Sequence, residues 1–505
     1  MTDAVKKLDV GTLIACCLAV AAAQLCITVP SPINGEIQTA FGASGSQVAW
    51  VTSAFILPTA ILELNFGVVG DLFGRKRLLV LGGFVLALGE LLNATSQNIT
   101  MLWIGQALAG VGAAALFPSS LAVIAAATPE EKDRAKAVSI WALSISLASA
   151  VGPLSSGILA TVADFRWAFV PPVVLGIAVG IAAWALVTDS KAPEGRALDW
   201  PGQISVAVGL TALLWGIIEG GDRGWSSPSI VFALTLAAVA LVGFVIAEKR
   251  AASPMFNLDL LRIPSFAAAA VVALTGMFGF IGTAYVVSIR LGAVMHLSAL
   301  RAGLPFVILQ LIPLLLAPVL SKMLTRVEPR RLLMGGLLPM AAGQFWIAAL
   351  PITTTSLAAF IGPVLLLGAG FICVVSSLTS AAVNAVPIEM TGMASGATSL
   401  VREFGQGLGP AVISTVAMSA ASSALVGKLS GADAGMEAAA GPLAVVNAGS
   451  DSAKAAARDA LAHGMSLGVV ICGCASLLGA VVTLLLVRRS TARATVTAPV
   501  PAASA

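Results

Sequence analysis

Apolar runs of about twenty residues, broken by short polar stretches, recur along the whole chain, and that is about the length a helix needs to cross a bilayer core. The runs fall at approximately 11–33, 46–68, 78–96, 99–126, 137–161, 167–188, 201–220, 227–247, 265–290, 299–324, 331–350, 356–384, 392–425 and 463–487, which predicts fourteen spanning helices. Lys6 and Lys7 ahead of the first run imitate a signal peptide, but the run continues past Thr28 and many more follow, so it reads as the first span. The one long polar segment, about 427–462, is rich in Ala, Gly, Ser and Asp and is expected to be a poorly constrained loop. The low-complexity tail 491–505 is expected to be disordered and cytoplasmic.

Composition agrees with this pattern. The 505 residues are 58% hydrophobic and 10% charged, with a mean hydropathy of +0.98, whereas soluble domains carry about a quarter charged residues. The fold class expected is an all-α polytopic membrane protein.

Charge placement orients it. Fourteen spans put both termini on one side, and twenty of the 28 Lys and Arg then fall on the N-terminal side, in clusters such as Arg75-Lys76-Arg77 and Arg330-Arg331. Cytoplasmic loops collect such bases, so both termini are expected to be cytoplasmic. The net charge of +4 implies no nucleic-acid partner. All six cysteines lie in apolar runs and read as small buried hydrophobes. Two distant histidines, with no nucleotide loop and no nucleophile motif, give no support to an enzyme, a metal or a cofactor. Heavy use of Ala, Gly, Val and Arg suggests a bacterium, hence its cytoplasmic (inner) membrane, with a monomer as the expected unit.

Two stretches stand out between and within the apolar runs. The first, "GVVGDLFGRKR" at 67–77, lies where the second span meets the third. Gly67 and Gly70 would permit close helix contact. Gly74 would permit a tight turn, and Asp71 and Arg75 charge-assisted bonds to a neighbouring helix end. A stop-transfer loop would explain the bases but not the spacing of glycine and acid. The second, "SLASAVGPLSSG" at 146–157, sets Gly152, Pro153 and Gly157 in the fifth span, where small residues admit a neighbour and proline bends the helix.

A faint repeat is also visible: "RKRLLVLGG" at 75–83 is echoed by "PRRLLMGG" at 329–336. Transporters are often built from repeated halves with the substrate site between them. The expected organisation is a six-helix bundle over 1–190, two inserted helices over 191–262, and a second six-helix bundle over 263–490.

The 67–77 stretch resembles the signature between helices 2 and 3 of the major facilitator superfamily, and 146–157 resembles its antiporter motif, with Ser156 where glycine is usual. Fourteen spans with these motifs resemble the drug:proton antiporter branch. "DFRWAFV" at 164–170, "LDWPG" at 198–202, "GDRGW" at 221–225 and "LVREFGQGLG" at 400–409 resemble further segments of it. The resemblance implies two bundles around a midplane cavity and a cytoplasmic gate built from Gly67, Gly70, Asp71, Gly74, Arg75 and Lys76.

Two departures bear on coupling. The branch usually carries an Asp in helix 1 where this chain has Ala23, with Gln24 beside it, and an Arg in helix 4 where this chain has Gln106. A neutral amide cannot tune a carboxylate by charge. Proton coupling must then rest on other ionisable groups inside the membrane, each costing about 2.5–3.5 kcal/mol at mid-helix. Glu403, Glu63 and Glu90 are the proton-coupling candidates; Gln24, Gln106 and Arg402 are candidates for the substrate cavity. Arg402 and Glu403 project about 100° apart on a helix, so different partners are expected for them. Glu90, close to a helix end, is expected to snorkel.

The function expected is export of hydrophobic or amphipathic small molecules, such as drugs and toxic compounds, by alternating access and proton antiport, with membrane lipid as surroundings. The alternatives are an uncoupled uniporter or a lipid or natural-product translocator. A non-transporting sensor predicts a sizeable soluble domain, which the pattern lacks.

Overall fold

The computed structural model describes residues 10–487 apart from 129, 192–197, 252–253, 255, 325, 352–353, 355, 385, 387–390 and 429–440. The segment predicted as a tail, 491–505, lies outside them, as do Lys6 and Lys7. Fourteen helices among the described residues are long and apolar enough to cross a membrane, and no strand occurs among those residues. They are α1 Val10–Thr28, α2 Gly45–Phe73, α3 Arg75–Ala94, α4 Ile99–Ala127, α5 Glu131–Val162, α6 Val170–Leu186, α7 Trp200–Arg223, α8 Pro228–Arg250, α9 Pro264–Ile289, α10 Ala299–Leu324, α11 Pro329–Ala349, α12 Ala358–Asn384, α13 Thr391–Val426 and α14 Asp451–Leu486.

Local chemistry starts many of them. Ser44 and Gln47 form a reciprocal capping box at α2, and Asn98 and Asp199 cap α4 and α7 with their side chains. Proline opens α8, α9 and α11, where its missing N–H costs nothing.

Three boundaries differ from the hydropathy reading. The first window splits at Pro30, whose ring cannot continue α1 without disturbing the preceding turn, and a short helix Pro30–Phe41 follows. The 67–77 stretch is hardly a loop: α2 runs through Phe73 and α3 starts at Arg75, leaving Gly74 alone between them. In the expected loop at 427–462, residues 442–448 are helical and α14 already begins at Asp451. Ser450 caps that helix, and the Ala-rich run behind it has high helix propensity and buries Ala453, Ala457, Ala460 and Leu461. A helical period was present there, but hydropathy alone could not register it.

Packing repeats with an offset of eight helices. Pairs α1–α4, α1–α5, α1–α6, α2–α4, α3–α4 and α3–α6 recur as α9–α12, α9–α13, α9–α14, α10–α12, α11–α12 and α11–α14. The halves meet through α5 against α10 and α2 against α13, pairs that the same offset exchanges. Helix α7 lies against both α2 and α13, while α8 packs on α7. Most of the helices expose large apolar side chains, though α9 is almost wholly enclosed, so the halves cohere through close backbone approach and buried hydrogen bonds more than through hydrophobic burial.

Candidate functional site

The Gly74 turn marks one end of the helices, called here the basic end; Gly42 and the short helix Pro30–Phe41 mark the far end. Helix α2 descends from far to basic end, and α13 rises the other way. At a rise of 1.5 Å per residue, Glu63 and Arg402 each lie about 15 Å from the basic ends of α2 and α13. The seam between these helices is therefore where charges from the two halves meet.

Arg402 Nη2 donates to Glu403 Oε1 at 3.1 Å, with Glu403 8% and Arg402 30% exposed. Glu63 is half-buried and within electrostatic reach of both. The expectation that Arg402 and Glu403 take different partners is thus corrected: the long guanidinium stem bends across the 100° between the two positions. Around this trio the seam is apolar, with Gly396 against Leu64 and Gly407 against Ile56.

Glu90 and Gln106 are elsewhere. Both are fully buried, and they lie only about 6 and 10 Å from the far ends of α3 and α4. Glu90 accepts from Asn93 Nδ2 at 3.2 Å and does not snorkel, because the outer face of α3 is turned away from it. Neither end of the Gln106 amide has a partner among the described residues. Gln24 is half-buried in α1, and Ala23 is fully buried. The structure therefore joins Glu63, Arg402 and Glu403, and keeps Glu90 and Gln106 apart from them.

At the basic end, Arg75 Nε and Nη2 donate to Asp71 Oδ1 at 2.9 and 2.6 Å, and Nη1 donates to the Ala122 carbonyl of α4 at 3.2 Å. The Lys76 amide donates to Asp189 Oδ1, and the Arg75 amide to the Ser190 carbonyl. The motif thus clamps α2, α3 and α4 to the segment after α6, and the Asp189–Ser190 half of the clamp had no sequence signal. Gly70 faces Leu78 and Ser119 closely, but at Gly67 a Cβ would have ordinary room, 3.8 Å from Pro118. Gly74 has φ +116°, and a Cβ there would sit 2.7 Å from Asp189 Oδ2. Gly74→Ala is expected to cost about 1–3 kcal/mol from strain at this backbone geometry, visible as a lower melting midpoint in detergent.

The far end is sealed. Gly35 lies on Gly292, and Gly303 on Pro153. Asn34 Nδ2 donates to Ser288 Oγ at 3.1 Å, Ser288 in turn donates to the Ser31 carbonyl, and Tyr285 donates to the Gly45 carbonyl at 2.9 Å. The 146–157 stretch belongs to this seal: Gly152 lets α1 approach at Thr28, and Gly157 lets α10 approach at Ala299 and Leu300. Pro153 lies inside a continuous α5. Burial pushes the Glu36 carboxyl up from its ordinary value; a bond from the Ala299 amide opposes this, and the charge of Asp164 adds to it.

Comparison with known proteins bears on the chain as a whole. The family model described as Major Facilitator Superfamily matches residues 16–410. The multidrug resistance protein Stp of Mycobacterium tuberculosis is 29% identical over 381 residues, covering 75% of this chain and 71% of that protein. A tetracenomycin C resistance and export protein of Streptomyces glaucescens is 27% identical over 407 residues, covering 80% and 74%. Among solved structures, a bacterial homologue of the human lysosomal transporter Spinster, inward-facing and occupied, superposes with a TM-score of 0.65 at 16% identity, over 94% of this chain and 96% of that one.

Proposed function

The chain belongs to the major facilitator superfamily, and we propose on that footing that it exports hydrophobic or amphipathic small molecules, antibiotics among them, from a bacterial cell by alternating access. Proton antiport supplies the driving force. The protein is a multi-pass membrane protein and not an enzyme. In this reading the basic end and both termini are cytoplasmic, residues 1–190 and 263–490 are the moving bundles, and 191–262 supply the inserted pair.

The observation that carries the coupling is that Glu63 lies within electrostatic reach of the Arg402–Glu403 ion pair across the α2–α13 seam. Rocking of the halves must change the distance between charges they hold jointly, so a proton on either carboxyl biases one arrangement over the other. Loss of the usual helix 1 acid and helix 4 Arg then does not remove coupling but moves it to this trio. With the far end sealed, the structure corresponds to the cytoplasm-facing half of the cycle, in which substrate enters between the bundles. Gly67 to Lys76 act as the gate on that side by holding α2 and α3 as one rigid unit. Glu90, with Asn93, and Gln106 are separate buried polar residues inside the first bundle, and Gln24 lines the path beside Ala23.

The test is flux in proteoliposomes with an imposed pH gradient. A lipophilic antibiotic should accumulate against its gradient only when protons flow the opposite way, and flux indifferent to the gradient would establish the uniporter.

A further inference from the structure

A groove of about 810 Å³ opens sideways between α2, α4 and the inserted helix α7, away from the α2–α13 seam. It runs from Ser44 at the far end down to Ile61 along α2, about 25 Å at 1.5 Å per residue. That is a membrane leaflet in depth and more, since the whole hydrocarbon core is about 30 Å. Its lower part is apolar, with Ala54, Leu57, Ile61, Ile104 and Ala107.

Its mouth is built differently. Trp50 and Trp103 lie 6.4 Å apart, their indole N–H groups donating to Glu219 and to the Gln47 carbonyl. Trp215 carries the Arg223 guanidinium on its face at 5.2 Å. Arg223 Nε donates to Glu219 Oε2 at 2.8 Å, and among the described residues Nη1 and Nη2 have no hydrogen-bond partner on a side chain that is 53% exposed. Asp222, its neighbour, accepts from both Ser44 and Ser46 on Oδ2, and among the described residues Oδ1 has no hydrogen-bond partner. The mouth thus offers a forked cation donor and a carboxylate oxygen side by side, ringed by indoles and placed above an apolar slot.

We propose that this groove is a binding site for one phospholipid with a zwitterionic, amine-bearing headgroup, drawn from the leaflet at the far end. Arg223 takes the phosphate through its two free nitrogens, the geometry for which guanidinium is suited. Asp222 Oδ1 accepts from the primary ammonium, and the indoles cover the glycerol region, as tryptophan does at membrane interfaces. One acyl chain fills the slot between α4 and α7. The ammonium and phosphate answer Asp222 and Arg223 while the acyl chain answers the slot, whereas a purely anionic lipid would face the Glu219 and Asp222 carboxylates with no cation of its own. The lipid would hold α7 to the first half of the molecule and so fix the inserted pair to one side of the seam.

The site is tested by native mass spectrometry of the full-length protein, delipidated and offered phosphatidylethanolamine, phosphatidylcholine or phosphatidylglycerol in equal amounts. One phosphatidylethanolamine should be retained at least fivefold over either competitor. Arg223→Ala, at a largely exposed position that the fold tolerates, should lower retention at least fivefold, and Arg223→Lys should restore part of it. Ala107→Phe, which fills the slot and leaves the mouth intact, should lower it similarly. Equal retention of the three lipids, unchanged retention in both Arg223→Ala and Ala107→Phe, or displacement by dodecyltrimethylammonium at equimolar concentration would overturn the assignment.

Discussion

Glu403→Gln is expected to abolish uphill transport driven by a pH gradient, with at least a tenfold loss, while downhill exchange of substrate across the same membrane persists. Glu403 is the most enclosed member of the seam trio and holds Arg402 at 3.1 Å. Replacing its carboxylate by an amide keeps size and hydrogen-bonding capacity but removes the proton-binding group and strands part of the Arg402 charge. Glu63 is then the remaining anion near Arg402. Breaking a buried pair by removing one partner typically costs about 3–5 kcal/mol; with Arg402 30% exposed, the cost here is smaller and the protein should still fold. A tenfold rate loss corresponds to about 1.4 kcal/mol, well within what an altered charge at the seam supplies. Glu63→Gln should produce the same split between driven flux and exchange. A merely structural role for either carboxyl would depress exchange and driven flux together, and that outcome would remove the trio from the coupling.

Arg402→Gln separates the partners further. With the cation gone, Glu63 and Glu403 face each other across the seam without a counter-charge. Driven flux should fall, and the pH dependence of exchange should shift because the two carboxyls then interact only with each other.

These predictions rest on features that differ in how far the sequence revealed them. Hydrophobic run length is a one-dimensional signal, so the fourteen spans were legible from it. So was Gly74, because a glycine between an acid and a base at a span boundary has few other readings. Run length failed where helices extend past the apolar stretch, at 451–462 and 69–73, since amphipathic or polar turns continue a helix without adding hydropathy. The nearness of Glu63 to Arg402 was hidden for another reason. The two are more than three hundred residues apart, and only the docking of one half on the other brings α2 against α13. Arg402 and Glu403 misled in the opposite direction, because Cβ directions on a helix say little about where a long side chain ends. The Asp189 clamp and the α7 groove depend on backbone approach that single residues do not announce.

Gly35→Leu is expected to reduce both driven flux and exchange by tenfold or more, unlike the carboxylate variants. At Gly35 an added Cβ would sit 2.5 Å from the Gly292 carbonyl carbon and 2.6 Å from the Ala293 nitrogen. These are backbone atoms of the turn at Arg290–Val294, across the far-end contact from Gly35, and no rotamer change can move them away. At Gly292 a Cβ would in turn lie 3.0 Å from Gly35 Cα, so the two glycines form one contact with no slack. Closure of the far end requires that contact, and it brings Asn34 and Ser288 within hydrogen-bond distance beside it. A leucine would hold the halves apart there and favour the opposite arrangement, stopping any cycle that must visit both. The defect can be read directly by introducing Asn34→Cys and Ser288→Cys into a background without the six native cysteines. Oxidative cross-linking should be efficient with Gly35 and largely lost with Leu. Gly335→Ala, at a position where nothing lies within 4 Å, should leave cross-linking and flux unchanged. Retained cross-linking in Gly35→Leu would mean that the seal tolerates a side chain, and that closure at the far end is governed by contacts other than this glycine pair.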